Sequence, residues 1–366
     1  MLFFDRRYFR YFDWITFFLS LIISSIGLLF VFSATQRPDI MYSVFFKKQL
    51  FGMCTGYVIY FLCCAIDYRT LMRWGYVAYF VTMVLLVFTL FKGSIGMGGQ
   101  RWINIGIIKF QPSEFTKLFL PAFITYYLKL QDKIRYVFRD FTPILALVGI
   151  SFLLIRKQPD LGTALILLFS GTAMLWLAGI SRNFFVSIFF VLLIGSPFLW
   201  KCLKPYQKQR ISVLLGEGDI RKERYQIEQS KIAIGSGGCI GKGYLEGTQN
   251  KLLFLPESRT DFIFSVLCEE WGFLGALFVL FLYVALFIRF IAIIGTIKDF
   301  FSQLLAFGLV IHIIFSVFVN ICMVLGLLPI VGIPLPLMSY GITNLWLTYA
   351  SLGWFNSIAM RRFHIV

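Results

Sequence analysis

The sequence predicts an all-α polytopic membrane protein of about ten transmembrane helices, with one long extracytoplasmic loop between the seventh and eighth. Hydrophobic residues make up 59% of 366 positions and the mean hydropathy is +0.81. Charged residues are only 14%, against roughly 25% in a soluble domain. Apolar runs approaching the ~20 residues that cross the hydrocarbon as a helix recur at 14–33, 49–66, 74–91, 112–129, 142–156, 160–179, 183–200, 262–288, 302–328 and 341–359. The polar loop 201–261 is the one long interruption, and the whole chain reads as a single integral membrane domain.

The first run follows the basic, aromatic segment MLFFDRRYFRYFDW and carries no small-residue cleavage site after it. It reads as a retained anchor rather than a cleaved signal peptide. Basic residues of short loops are held on the cytoplasmic side, and with the N-terminus inside they divide fourteen to eight in favour of that face. Both termini are therefore expected in the cytoplasm and the loop 201–261 outside. The net charge of +16 is split between two faces of a bilayer, which suits anionic lipid headgroups and argues against nucleic acid. Cys54, Cys63, Cys64, Cys268 and Cys322 lie in apolar runs as small core residues. Cys202 and Cys239 share the outer loop and could pair.

Runs one to three read as scaffold, with Gly56, Ser24 and Ser25 allowing close helix contact. The segment GSIGMGGQRWINIGIIKFQPSEFTK (93–117) is too glycine-rich for a continuous helix, and Pro112 suits the first turn of the fourth helix. Arg101 and Lys109 fall outside, either as cations for an anionic ligand or as interfacial anchors beside Trp102. Glu114 and Lys117 are three apart and share a helix face inside the membrane. Charges at that depth are costly and face a partner or a cavity. The pair is thus a structural ion pair or the lining of a polar cavity for a charged headgroup. Runs five and six are joined by the tight turn RKQPDLG (156–162), where Asp160 is placed to cap the sixth helix.

The outer loop opens with a charged stretch suited to a surface amphipathic helix. Its segment GSGGCIGKG (235–243) is not a phosphate-binding loop, because Ser236 and Gly243 stand where that motif needs Gly and Ser or Thr. The glycines instead let backbone pass close to a ligand or a helix. In LPESRTDFIF, Pro256 breaks the chain and Asp261 opens the eighth helix, whose N-terminus stabilises a carboxylate. Asp261 is either an N-cap or a catalytic base at the outer membrane surface. Glu269 and Glu270 lie two turns further on and need partners if buried. His312 reads as a hydrogen-bonded core histidine. The proline-rich stretch LLPIVGIPLPLMSYGITN (327–344) is non-helical backbone at membrane depth, tolerated where it walls a cavity.

Four stretches in this order, GGQRWINIGIIKFQPSEFTK, KQPDLGTALI, YQIEQSKIAIGSGGCIGKGYLEGTQNKLLFLPESRTDFIFSVLCEEWG and GLLPIVGIPLPLMSYG, resemble the shape, elongation, division and sporulation (SEDS) family of peptidoglycan glycosyltransferases. The triplet GTQ at 247–249 and the short N-terminus are similar to its elongation branch more than to its division branch. The resemblance implies polymerisation of lipid II, a disaccharide peptide on undecaprenyl diphosphate, at the outer face of the bacterial cytoplasmic membrane. It implies a class B penicillin-binding protein transpeptidase as partner, with its membrane helix docked on this chain. It also implies Asp261 as general base on the acceptor hydroxyl, and substrate contacts from Arg101, Lys109, Glu114, Lys117, Asp160, Glu257, Arg259 and Ser339. The leaving diphosphate is already anionic, so it calls for cations, including a divalent ion such as Mg2+, rather than for a general acid. Inversion through an oxocarbenium-like state needs one base and no covalent nucleophile.

Two other readings compete. A lipid II flippase would use Glu114 and Lys117 to carry the headgroup, and a non-catalytic scaffold would use Asp261 only as a cap. An outward carboxylate serves a transferase and does little for a flippase. Two departures from the family pattern bear on the site: Arg259 stands where members usually carry His, and Gly341, Ile342, Thr343 and Asn344 stand where they carry glycine-glycine-serine-serine.

Overall fold

A computed structural model of the chain describes residues 10–36, 42–96, 99–105, 108–131, 133, 136–203, 205–214, 216–217, 224–252 and 254–363. Three helices open the described residues, α1 Trp14–Thr35, α2 Val44–Ala65 and α3 Tyr68–Lys92. The Asp13 carboxylate accepts from Thr16 N, Ser43 Oγ from Phe46 N at 3.1 Å and Asp67 from Arg69 N at 2.9 Å. These short polar side chains satisfy the first free amides of each helix. They set the starts of α2 and α3 several residues upstream of the apolar runs, because capping and not hydropathy decides where a helix begins.

After α3 the chain departs from the all-α expectation. Strands β1 Ser94–Gly96, β2 Gly99–Ile105 and β3 Ile108–Phe110 form an antiparallel sheet in the order β1-β2-β3. Asn104 lies opposite Lys109, and Ile105 opposite Ile108. The alternation of apolar and polar residues in WINIGIIKF is the local cause.

The bundle continues with α4 Pro112–Gln131, α5 Phe138–Lys157, α6 Leu161–Leu177 and α7 Arg182–Cys202. The long segment after α7 holds α8 Pro205–Leu214, α9 Tyr225–Ser236 and the single turn α10 Thr248–Lys251. Then come α11 Ile263–Thr296, α12 Phe300–Val324 and α13 Ile342–Arg361. Long helices thus fill each of the ten apolar runs. Six of them, α1, α2, α3, α5, α11 and α12, are long and apolar enough to cross a membrane by length and composition.

Helix α2 packs closely on α13. A Cβ at Gly56 would lie 2.2 Å from the Tyr349 ring, so only glycine lets these helices approach as they do. Between α12 and α13 the proline-rich stretch runs unwound through the bundle, and its backbone groups are satisfied by side chains. Gln49 donates to Ser339 O at 3.1 Å and accepts from Gly341 N at 3.2 Å, and Tyr283 donates its hydroxyl to Pro336 O at 2.5 Å.

Candidate active site

Asp261 lies between the break at Pro256 and the first turn of α11, and its segment is seated against the unwound stretch after α12. Arg259 O accepts from Tyr340 N at 2.9 Å, Thr260 O from the Ser339 hydroxyl at 2.5 Å, and Asp261 O from Asn320 Nδ2 at 2.9 Å. The Ser339 oxygen also accepts from Leu335 N at 2.8 Å. Glu257, at φ +51°, turns back so that Thr260 Oγ1 donates to its carboxylate at 3.0 Å. The Arg259 guanidinium sits 3.9 Å over the Phe45 ring, a stacking geometry that suits a planar delocalised cation.

Burial pushes the Asp261 carboxyl up from 3.8 to about 6. Glu257 and Asp160 push the same way, while Arg101 and Arg210 oppose them. An acid held at that level is ionised at neutral pH yet remains basic enough to take a proton. Arg101 Nη1 lies 3.4 Å from Asp160 Oδ2. Asp160 also caps α6 through Thr163 N and accepts from Gln111 Nε2 at 2.8 Å. Asp261, Glu257, Asp160 and Arg101 therefore share one electrostatic neighbourhood, with the backbone at Ser339 and Arg259 forming its wall. Lys109 lies on β3 opposite Asn104, and its side chain, like that of Cys202, lies outside the described residues.

Glu114 and Lys117 form a second polar cluster. They pair at 2.7 Å with both side chains 7% exposed, and Asn344 Nδ2 donates to Glu114 at 2.9 Å. With His312, Ser316 and Thr348 they line a cavity of about 10 Å³, about the room of one water. The departure at Asn344 thus supplies a hydrogen-bond donor to the buried carboxylate.

The glycine-rich segment packs on α11. Lys242 N and Gly243 N donate to Glu269 O and Glu270 O, each at 3.0 Å, while Phe273 N donates to Gly238 O at 2.9 Å. Gly272, at φ +65°, makes the kink that frees these groups, and a Cβ at Gly241 would strike Glu270 O at 2.1 Å. The glycines serve close backbone approach to a helix. Glu269, 0% exposed, accepts at Oε1 from Lys242 Nζ at 2.7 Å, Thr248 N at 2.8 Å and Gln249 N at 3.0 Å. Glu270 accepts from the Ser33 hydroxyl and from Leu245 N. Each buried carboxylate therefore has donors, Glu269 among the described residues through Oε1 only.

Sequence reasoning passed over Gln49, Gln111, Arg210 and Asn320. A polar amide deep in an apolar run is the signal that marks Asn320, but nothing local says what it holds.

Residues 13–364 match the family described as cell cycle protein, FtsW, RodA and SpoVE. The chain is 39% identical over 326 residues to the peptidoglycan glycosyltransferase MrdB of Escherichia coli K12, covering 86% of each. It is 35% identical over 342 residues to MrdB of Helicobacter pylori 26695, covering 92% of this chain and 87% of that one. Its fold is similar to the crystal structure of the rod shape determining protein RodA of Thermus thermophilus, with TM-score 0.72 and 27% identity over 97% of this chain and 98% of that one. It is similar also, at TM-score 0.83, 28% identity and coverage of 97% and 99%, to a chain from a peptidoglycan synthase complex described as coordinating polymerization and crosslinking.

Proposed function

The chain belongs to the FtsW, RodA and SpoVE family of cell cycle proteins, and from that membership we propose that it is the peptidoglycan glycosyltransferase of an elongation system, polymerising lipid II with Asp261 as its base. The carrying observation is a carboxylate raised to about 6 at the outer start of α11, with two guanidinium groups acting on it. As the acceptor hydroxyl attacks the anomeric carbon, its proton passes to the Asp261 carboxylate. The bond from that carbon to the diphosphate oxygen breaks, and undecaprenyl diphosphate leaves with the electron pair. Arg101, with Lys109 and Arg210, offers charge to the diphosphate. Glu114, Lys117, Asp160, Glu257, Arg259 and Ser339 shape the walls that receive the headgroup.

Among the described residues no three His, Cys, Asp or Glu side chains converge as a metal cage. Mg2+ does not require one, since it takes one or two carboxylates together with substrate phosphates and water. Glu257, which acts on the same carboxylate as Arg101, would hold it, and the ion would neutralise charge on the leaving diphosphate.

The deciding experiment is the purified protein, alone and with a class B penicillin-binding protein, incubated with labelled lipid II. Glycan chains are the expected product. Movement of lipid II across vesicles without chain formation would make it a transporter, and neither activity would make it a scaffold.

The reading also sets topology in the bacterial cytoplasmic membrane, with both termini inside and the glycine-rich segment outside. Cys239 is a free, exposed thiol. In a variant keeping only Cys239, a membrane-impermeant maleimide should label right-side-out vesicles. Labelling that waits for permeabilisation would reverse the orientation.

A further inference from the structure

We infer that Asn320 is a positioning residue for the base: its side-chain amide fixes the main chain at Asp261 to α12 and thereby keeps the carboxylate in its shielded seat. The inference rests on the reading of Asp261 as the base. Asn320 lies in the last two turns of α12 with 0% exposure. Its Nδ2 donates to Asp261 O at 2.9 Å and to Ile333 O at 2.7 Å. Two carbonyl acceptors on one nitrogen decide which way the amide faces, because turning it over would set Oδ1 against both oxygens. Its Oδ1 is buried with no hydrogen-bond partner among the described residues. An unmet buried acceptor costs stability, so a site packed for stability alone would favour an apolar side chain of similar volume.

What the amide achieves is a junction between two segments that lack regular structure. Arg259 O, Thr260 O and Asp261 O each accept a hydrogen bond, and the first two donors, Tyr340 N and Ser339 Oγ, belong to the unwound stretch itself. Asn320 alone among the three donors comes from a helix. It ties the base and the facing wall at Ile333 to the rigid bundle at one point, as a productive site requires of its supporting groups. The charged groups that act on the carboxylate are Glu257 and Asp160 on one side of the balance and Arg101 and Arg210 on the other. Releasing the main chain would admit water and weaken the burial that dominates this balance. The base would become both less basic and misplaced.

The test is a pH–rate profile of lipid II polymerisation by the full-length protein in proteoliposomes, comparing the parent with Asn320→Leu. The variant should lose about tenfold to hundredfold in kcat, with KM for lipid II changed by less than about twofold. Its acid limb should move from about 6 toward the ordinary 3.8. Should Asn320→Leu fail to fold, Asn320→Ala removes the amide without adding bulk and is read in the same way. An unchanged kcat, or a loss of kcat with the acid limb still near 6, would overturn the inference. Asp261→Asn is assayed beside them. If it remains active, the base reading has failed; if it is inactive while the Asn320 variant keeps its rate and its limb, only the role of Asn320 has failed.

Discussion

Asp261→Asn should lower lipid II polymerisation by about 10²- to 10⁴-fold, the usual worth of a positioned general base, while the protein inserts and folds as before. The amide keeps the shape of the carboxylate and cannot take the acceptor's proton. Stability should move the other way. The folded carboxyl titrates near 6 against 3.8 for the free side chain, so the folded state favours the protonated form. Stability at this residue is therefore greatest below 3.8, falls as the pH rises toward 6, and stays at its lower value above that. Two units correspond to at most about 3 kcal/mol. At pH 7 to 8 the variant should unfold at the same or a higher temperature than the parent, and the difference should vanish below about pH 4. The parent's kcat/KM should in turn rise with pH through about 6, because the base must be ionised to act. Near-normal glycan synthesis by purified Asp261→Asn would end the assignment.

Asp261 stands out in the sequence as a candidate base because it is one carboxylate after a proline break, at the point where a polar loop meets a long apolar run. The helices were legible from hydropathy, and their starts from Asp and Ser caps once these are read before the apolar pattern. The small sheet was written in the alternation of WINIGIIKF, but a short strand pattern inside a helical chain is easily taken for a loop. What holds the site was not legible. Asn320 meets Asp261 across 59 residues, Gln49 meets Ser339 across 290, and Gln111 meets Asp160 across 49. A single buried amide carries no period and no motif, and its acceptors are backbone carbonyls that any residue could supply. The need of Glu269 for a partner followed from the cost of burying charge. That the partner is Lys242, 27 residues upstream, followed only from the folded chain.

The Glu114–Lys117 pair separates a strut from a substrate contact. Lys117→Met alone leaves Glu114 buried with the Asn344 amide as its remaining neutral donor. Losing one member of a buried pair costs about 3 to 5 kcal/mol, so this variant should unfold well below the parent in detergent. Glu114→Gln with Lys117→Met removes both charges, and since replacing a whole buried pair is often neutral or stabilising, the double variant should regain the parent's thermal stability. If the pair only braced α4 against α12 and α13, polymerisation would return with it. The surroundings argue otherwise. The cavity beside the pair has about the room of one water, and the His312 Nδ1 that borders it has no hydrogen-bond partner among the described residues. Charges at membrane depth mark substrate pathways more often than braces. The double variant should therefore fold normally and still polymerise lipid II about tenfold or more slowly, the loss of one charge-assisted contact. Full activity in the stable double variant would reduce the pair to a brace. Normal polymerisation with failed movement of lipid II across vesicles would instead assign these two charges to transport.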